Sequence, residues 1–153
     1  MLKPVKTKTA RASGATFAIV ASRYNGRYVG AMLKAAQREL KKAGAKVRIV
    51  RVPGAFEVPA VAAKLASLES KPAAIICFGV IFQGQTSHAQ HVGWGVTHAL
   101  AQIQVEQRIP VIHGVFIFEK EEHAKVRCLG RTHNRGTEAA HAALEMARVM
   151  RAI

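Results

Sequence analysis

Cysteine is scarce in this chain. Cys77 and Cys128 are the two present, with no C-x-x-C and no metal-like spacing to the seven histidines. That argues against a disulfide framework and a structural zinc, and both residues read as reduced thiols. Long apolar runs are missing as well: none reaches ten residues, so no membrane span is expected. Met1 to Arg11 hold no apolar stretch of the kind a secretory signal carries, and the expected location is the cytoplasm. There is no internal repeat and no low-complexity linker.

Acidic residues are few. Nine Asp and Glu stand against 23 Lys and Arg, a formal charge of +14, a balance that often accompanies a polyanionic partner. Lys3, Lys6, Lys8 and Arg11 form a basic arm with no acid among them, set off as residues 1–15 from a single domain at 16–153. The other basic residues are scattered. Lys34, Arg38, Lys41 and Lys42 repeat on the polar side of one helix, which reads as a solvated face. No aromatics interleave with them as single-strand binders require, so no nucleic-acid partner is expected.

What is present fits one domain with ample core: 153 residues, half of them apolar. The pattern predicts strands at 16–22, 46–52, 73–78 and 110–118, and helices at 28–42, 58–69, about 87–107, about 119–127 and 137–150. On the first helix Val29, Met32, Leu33, Ala36 and Leu40 share one face. Strict strand-helix alternation with short connections implies an α/β fold, a four-stranded parallel sheet in a three-layer αβα sandwich with helices on both faces.

The stretch Gly79-Val-Ile-Phe-Gln-Gly-Gln-Thr-Ser-His88 comes after the buried run Ala73–Phe78 and leads into a helix. It is therefore expected at the carboxyl end of a sheet, where open α/β folds bind ligands. Gly79 and Gly84 read as residues that let the backbone turn and approach a ligand. The amides of Gln85 and Thr86 can hold an anion, with His88 beside them as an acid/base group. On spacing alone a second reading stands, a loop in which Thr86 or Ser87 caps the helix and His88 is idle.

The Gly79–His88 stretch resembles the G-x-V-I-x-G-x-T-x-H signature of the 6,7-dimethyl-8-ribityllumazine synthases. Ser22-Arg-Tyr-Asn25, Val52-Pro-Gly-Ala-Phe-Glu-Val-Pro59 and Asn134-Arg-Gly136 agree in order and spacing, and the resemblance covers roughly residues 16 to 151. It implies a flavodoxin-like fold and condensation of 5-amino-6-(D-ribitylamino)uracil with 3,4-dihydroxy-2-butanone 4-phosphate in riboflavin biosynthesis, with no cofactor and no metal. By the same resemblance His88 moves protons. Tyr24 stacks on the pyrimidine, and Ala55, Phe56, Glu57, Val80, Ile81, Phe82 and His113 contact the uracil and ribityl groups. Gln85, Thr86 and Arg127 bind phosphate. It further implies a homopentamer, extended in some members to a sixty-subunit shell, with riboflavin synthase as a partner.

Several positions depart from the usual family pattern. Gln83 stands where a basic residue is common, Ala89 and Gln90 where an aromatic and an acid come after the histidine, His113 where Phe borders the pyrimidine, and Ile117-Phe118 where two threonines are common. Losing the acid removes an orienting partner for His88. The rivals from other classes are a non-catalytic lumazine- or flavin-binding assembly protein and a basic nucleic-acid-associated domain.

Overall fold

The computed structural model describes residues 10–153; Lys3, Lys6 and Lys8 of the expected basic arm lie outside the described residues. The elements run β1 (Thr16–Ser22), α1 (Gly26–Lys42), β2 (Lys46–Val52), a 3-10 turn (Ala55–Glu57), α2 (Val58–Ala66), β3 (Ile75–Phe82), α3 (His88–Gln107), β4 (Val111–Phe118), α4 (Glu121–Leu129) and α5 (Arg135–Ala152). All three strand pairings are parallel, in the order β2-β1-β3-β4. The expected three-layer flavodoxin-like fold is the one found.

The interiors of both inner strands are apolar because helices cover them on both sides. Phe17, Ile19, Ala21, Ile76, Phe78, Val80 and Phe118 face one layer with α1, α4 and α5. Ala18, Val20, Ile75, Cys77, Val111 and Val115 face the other, with α2 and α3. Each large side chain so buried contributes roughly 1.5–3 kcal/mol. The five residues predicted to line one face of α1 are all buried there. Burial pushes the Cys77 thiol up to about 12. It pushes Cys128 up to about 11, against the lowering charges of Arg135 and Arg127.

One expected feature is corrected. Gly79 does not end its strand: β3 continues four residues beyond Phe78, pairing Gly79–Phe82 with Val115–Phe118 of β4. The glycine is there for packing. A Cβ at Gly79 would lie 3.0 Å from Ala55 Cβ and 3.3 Å from Val115 Cγ1. The second helix also stops earlier than expected, at Ala66, where Ser67 folds back through its N–H and hydroxyl onto carbonyls of the last turn.

In a sheet of this order, β1 continues to β2 on one side while β3 lies on the other. The carboxyl ends of β1 and β3 thus flank the point where the winding reverses, the place where open α/β sheets bind ligands.

Candidate active site

The ends of β1 and β2 are bound into one unit. Arg23 N–H donates to the carbonyls of Val52 (2.8 Å) and Pro53 (3.0 Å), and Tyr24 N–H to that of Pro53 (3.0 Å). Gly54 allows two side chains to close on its backbone: a Cβ there would lie 2.9 Å from Tyr24 Cδ2 and 2.9 Å from Glu57 Oε2. The Tyr24 ring therefore lies against the Pro53-Gly54 backbone with Glu57 adjacent. Gly54 N–H donates to Glu57 Oε2 at 2.9 Å, which fixes the carboxylate and leaves its second oxygen available. Tyr24 (68% exposed) and Phe56 (64%) present bare aromatic faces, and Phe56 Cε2 comes within 3.4 Å of a Cβ placed on Gly95 of α3.

Asn25 spans the reversal point itself. It adopts the left-handed region, φ 55°, at the start of α1, and its Nδ2 donates to the Val80 carbonyl of β3 at 2.7 Å. Asn tolerates that backbone better than other non-glycine residues, and a hydrogen bond worth about 1 kcal/mol offsets the remaining strain. The Ser22–Asn25 motif by itself gives Asn25 no role; the signal in the sequence is the readiness of asparagine to adopt positive φ. Val80 and Phe82 turn into the α1 side of the core, and Ile81 into the α3 side.

Beyond β3 the chain is wired to its neighbours. Gln83 N–H donates to the Phe118 carbonyl at 2.9 Å, and its side-chain Nε2 donates to the carbonyls of Gly84 (3.0 Å) and Thr86 (2.8 Å). Thr86 Oγ1 accepts from His88 N–H at 3.4 Å, while Ser87, the residue before α3, makes no side-chain cap. Its hydroxyl instead meets His91 Nε2 at 3.2 Å. No atom lies within 4 Å of a Cβ placed on Gly84. His88 stands exposed on the first residue of α3, and among the described residues its imidazole makes no hydrogen bond.

Two of the sequence-predicted site residues are elsewhere. Arg127 lies exposed on α4, in the layer of α1 and α5, across the sheet from α3 and His88. Its helix is anchored at both ends. Tyr28 Oη donates to the Glu121 carboxylate in the first turn, a bond that holds Glu121 below its ordinary value. At the far end Asn134 Nδ2 donates to the Cys128 carbonyl at 2.7 Å, while its Oδ1 accepts from Gly136 N–H at 2.8 Å and caps α5. Gly136 presses on α1: a Cβ there would sit 2.0 Å from the Met32 carbonyl oxygen. His113 lies early in β4, opposite Cys77 and five residues before the strand's end at Phe118. Its Nε2 is 2.8 Å from Thr97 Oγ1, and burial holds it below the ordinary histidine value.

Among the described residues no group of His, Cys, Asp and Glu is arranged to hold a metal ion, and no helix is long and apolar enough to cross a membrane. The profile of the 6,7-dimethyl-8-ribityllumazine synthase family matches residues 14–151. Relatives carrying that name include one from Stenotrophomonas maltophilia (strain R551-3), 39% identical over 89% of this chain and 89% of its own. Another, from Xylella fastidiosa (strain 9a5c), is 40% identical over 89% and 90%. A third, from Xanthomonas campestris pv. campestris (strain B100), is 37% identical over 92% of each chain.

Proposed function

Because the chain belongs to the 6,7-dimethyl-8-ribityllumazine synthase family, we propose that the carboxyl end of its sheet joins 5-amino-6-(D-ribitylamino)uracil to 3,4-dihydroxy-2-butanone 4-phosphate. The activity is that of a lumazine synthase in riboflavin biosynthesis. The amine adds to the ketone and loses water to give an imine, phosphate is eliminated, and the ring closes on the remaining carbonyl with loss of a second water. The products are lumazine, one phosphate and two waters.

Each step asks for something this site can supply. Tyr24 offers a flat face for the pyrimidine, and the free oxygen of Glu57 accepts from ribityl hydroxyls, with Ala55 and Phe56 alongside. The exposed imidazole of His88 carries protons at carbinolamine formation, elimination and closure. Amides at Gln85 and Thr86 receive the phosphate at the start of α3. Holding the two substrates in reacting geometry itself lowers the barrier by several kcal/mol.

What supports this reading is that the Tyr24-Gly54-Glu57 unit closes the ends of β1 and β2, that Asn25 ties this end to Val80 of β3, and that β3 leads into the loop that carries His88. Arg127 and His113 belong to the same chemistry through a second copy. An arginine in the opposite layer can anchor phosphate beside a neighbour's His88, and a residue early in β4 can border a neighbour's pyrimidine. That supports a ring of five with sites shared between adjacent subunits. The rim of exposed apolar residues on α3 suits such a contact. The riboflavin synthase partnership and the cytoplasmic location rest on the same family reading.

The test is an absorbance assay for lumazine formation from the two substrates, with molar mass measured by light scattering on the same preparation. Turnover without added metal in a species of five subunits or a multiple of five is expected. A monodisperse monomer with full activity would break the shared-site reading, and no lumazine from correctly assembled protein would break the functional one.

A further inference from the structure

Gln83 immediately precedes the Gly84-Gln85-Thr86 loop and makes three bonds that hold it. Its backbone N–H is tied to Phe118, and its side-chain amide donates to the carbonyls of Gly84 and Thr86. Two carbonyl acceptors fix which end of the side chain is the NH2. The other end, Oε1, is buried with no donor among the described residues, so the side chain is held there for its donors and its acceptor is left stranded.

The consequence is geometric. There are no cis peptide bonds among the described residues, and in a trans peptide the carbonyl of one residue and the N–H of the next point in opposite directions. Pinning the Gly84 carbonyl toward Gln83 therefore turns the Gln85 N–H away from it, and pinning the Thr86 carbonyl does the same for the Ser87 N–H. Neither N–H has a partner among the described residues. Beside them Gly84 leaves open room.

We infer that Gln83 is a positioning residue for the departing phosphate: by holding two carbonyls back it aims the amides of Gln85 and Ser87 outward as a pair of anion donors. This adds Ser87 N–H to the phosphate contacts and rests on the reading of this loop as the phosphate site. Gln83 never touches substrate in this role. It removes the freedom of two peptide planes to swing, so the donors need not be ordered when the anion arrives.

Substitutions separate this role from a merely structural one. Gln83→Ala deletes both donors. Gln83→Glu replaces them with a carboxylate that can only accept and so confronts two carbonyl oxygens. Gln83→Lys supplies donors again and strands no acceptor. Steady-state rates in both substrates and inhibition by inorganic phosphate are measured for each, with circular dichroism and assembly size on the same samples. Losing preorganised donors to a charged group predicts, for Ala and Glu, about a ten-fold rise in the KM for the butanone phosphate and in the phosphate inhibition constant. The KM for the uracil should stay within about two-fold, and Gln83→Lys should restore the phosphate parameters. Unchanged phosphate parameters in Gln83→Ala, an equal rise in both KM values, or a lysine variant as weak as the glutamate one overturns the inference. Should the alanine variant not fold, the lysine and glutamate pair decides alone. A wild-type protein that makes no lumazine sinks the underlying functional reading instead.

Discussion

The layer formed by α1, α4 and α5 closes against the sheet with its own side chains, Gly136 of α5 pressed on the Met32 carbonyl and Asn134 and Tyr28 tying α4 at both ends. The layer formed by α2 and α3 leaves Phe56, Trp94 (64% exposed) and Ile117 in solvent, with Trp94 stacked only on His98 of its own helix. A lone chain gains nothing from exposed aromatics. The contrast is one of aromatics and not of apolar exposure as such, since Val126 of α4 is 65% exposed on the first layer. The two residues proposed above for proton transfer and phosphate binding are divided the same way, His88 on α3 and Arg127 on α4.

The sharpest way to test this contrast is a pair of alanines. Gly136→Ala drives a methyl group into a backbone oxygen 2.0 Å away, and a loss of about 3 kcal/mol or more is expected, enough to empty the soluble fraction. Gly84→Ala meets nothing within 4 Å and should stay within about 0.5 kcal/mol of the parent. Urea unfolding of both variants checks this, and similar midpoints would erase the distinction between the layers.

Next in size are the two halves of the divided site. His88→Ala should keep its assembly while kcat falls roughly ten- to a thousand-fold, since acid/base help is lost and substrate proximity survives. Arg127→Ala should raise the KM for the butanone phosphate by about ten-fold or more while sparing the uracil. If the two residues meet across subunits, dissociating and reassembling the two variants together must recover activity that neither has alone. Mixed assemblies no better than the average of the two parents would place both residues in one chain's site or remove Arg127 from it.

The smallest effect belongs to the first layer. Glu39 of α1 accepts from Lys42 (3.1 Å) and sits 3.1 Å from His141 Nε2 of α5. Burial alone would raise its carboxyl, but those hydrogen bonds and charges outweigh it and hold the value below the ordinary one. A lowered folded value means stability that is fully present above the unfolded carboxyl range, about 4.3, and is lost as pH falls through the folded value. Glu39→Gln should cost under about 1 kcal/mol at neutral pH and flatten the acid limb of the stability curve. An unaltered acid limb in urea titrations at several pH values would assign that limb to other carboxylates.

Much of the fold was legible. The boundaries of β1 come from an apolar run and those of β2 from an alternating one, both as the structure has them, whereas α5 begins at Arg135, two residues before the expected start at 137. The end of β3 was not legible, because the need for glycine at position 79 is imposed by Ala55 and Val115, residues distant in sequence that the fold brings against it. The same limit applies to the site. The motifs brought Tyr24, Glu57 and His88 to one end of the sheet, yet spacing says nothing about layers, so the separation of Arg127 and His113 from His88 appears only with the helices in place. Asn25 and Gln83 went unread because their side chains act on carbonyls, which carry no sequence signature.

Both thiols are buried, and their acidity is suppressed to about 12 and about 11. Thiol-directed reagents attack the thiolate, so maleimide dyes at neutral pH should leave the native chain unmarked. A cysteine introduced beside Trp94 would then be the one reactive thiol on the protein, so that a dye placed there reports whether the proposed second copy covers this face, without first removing any natural residue.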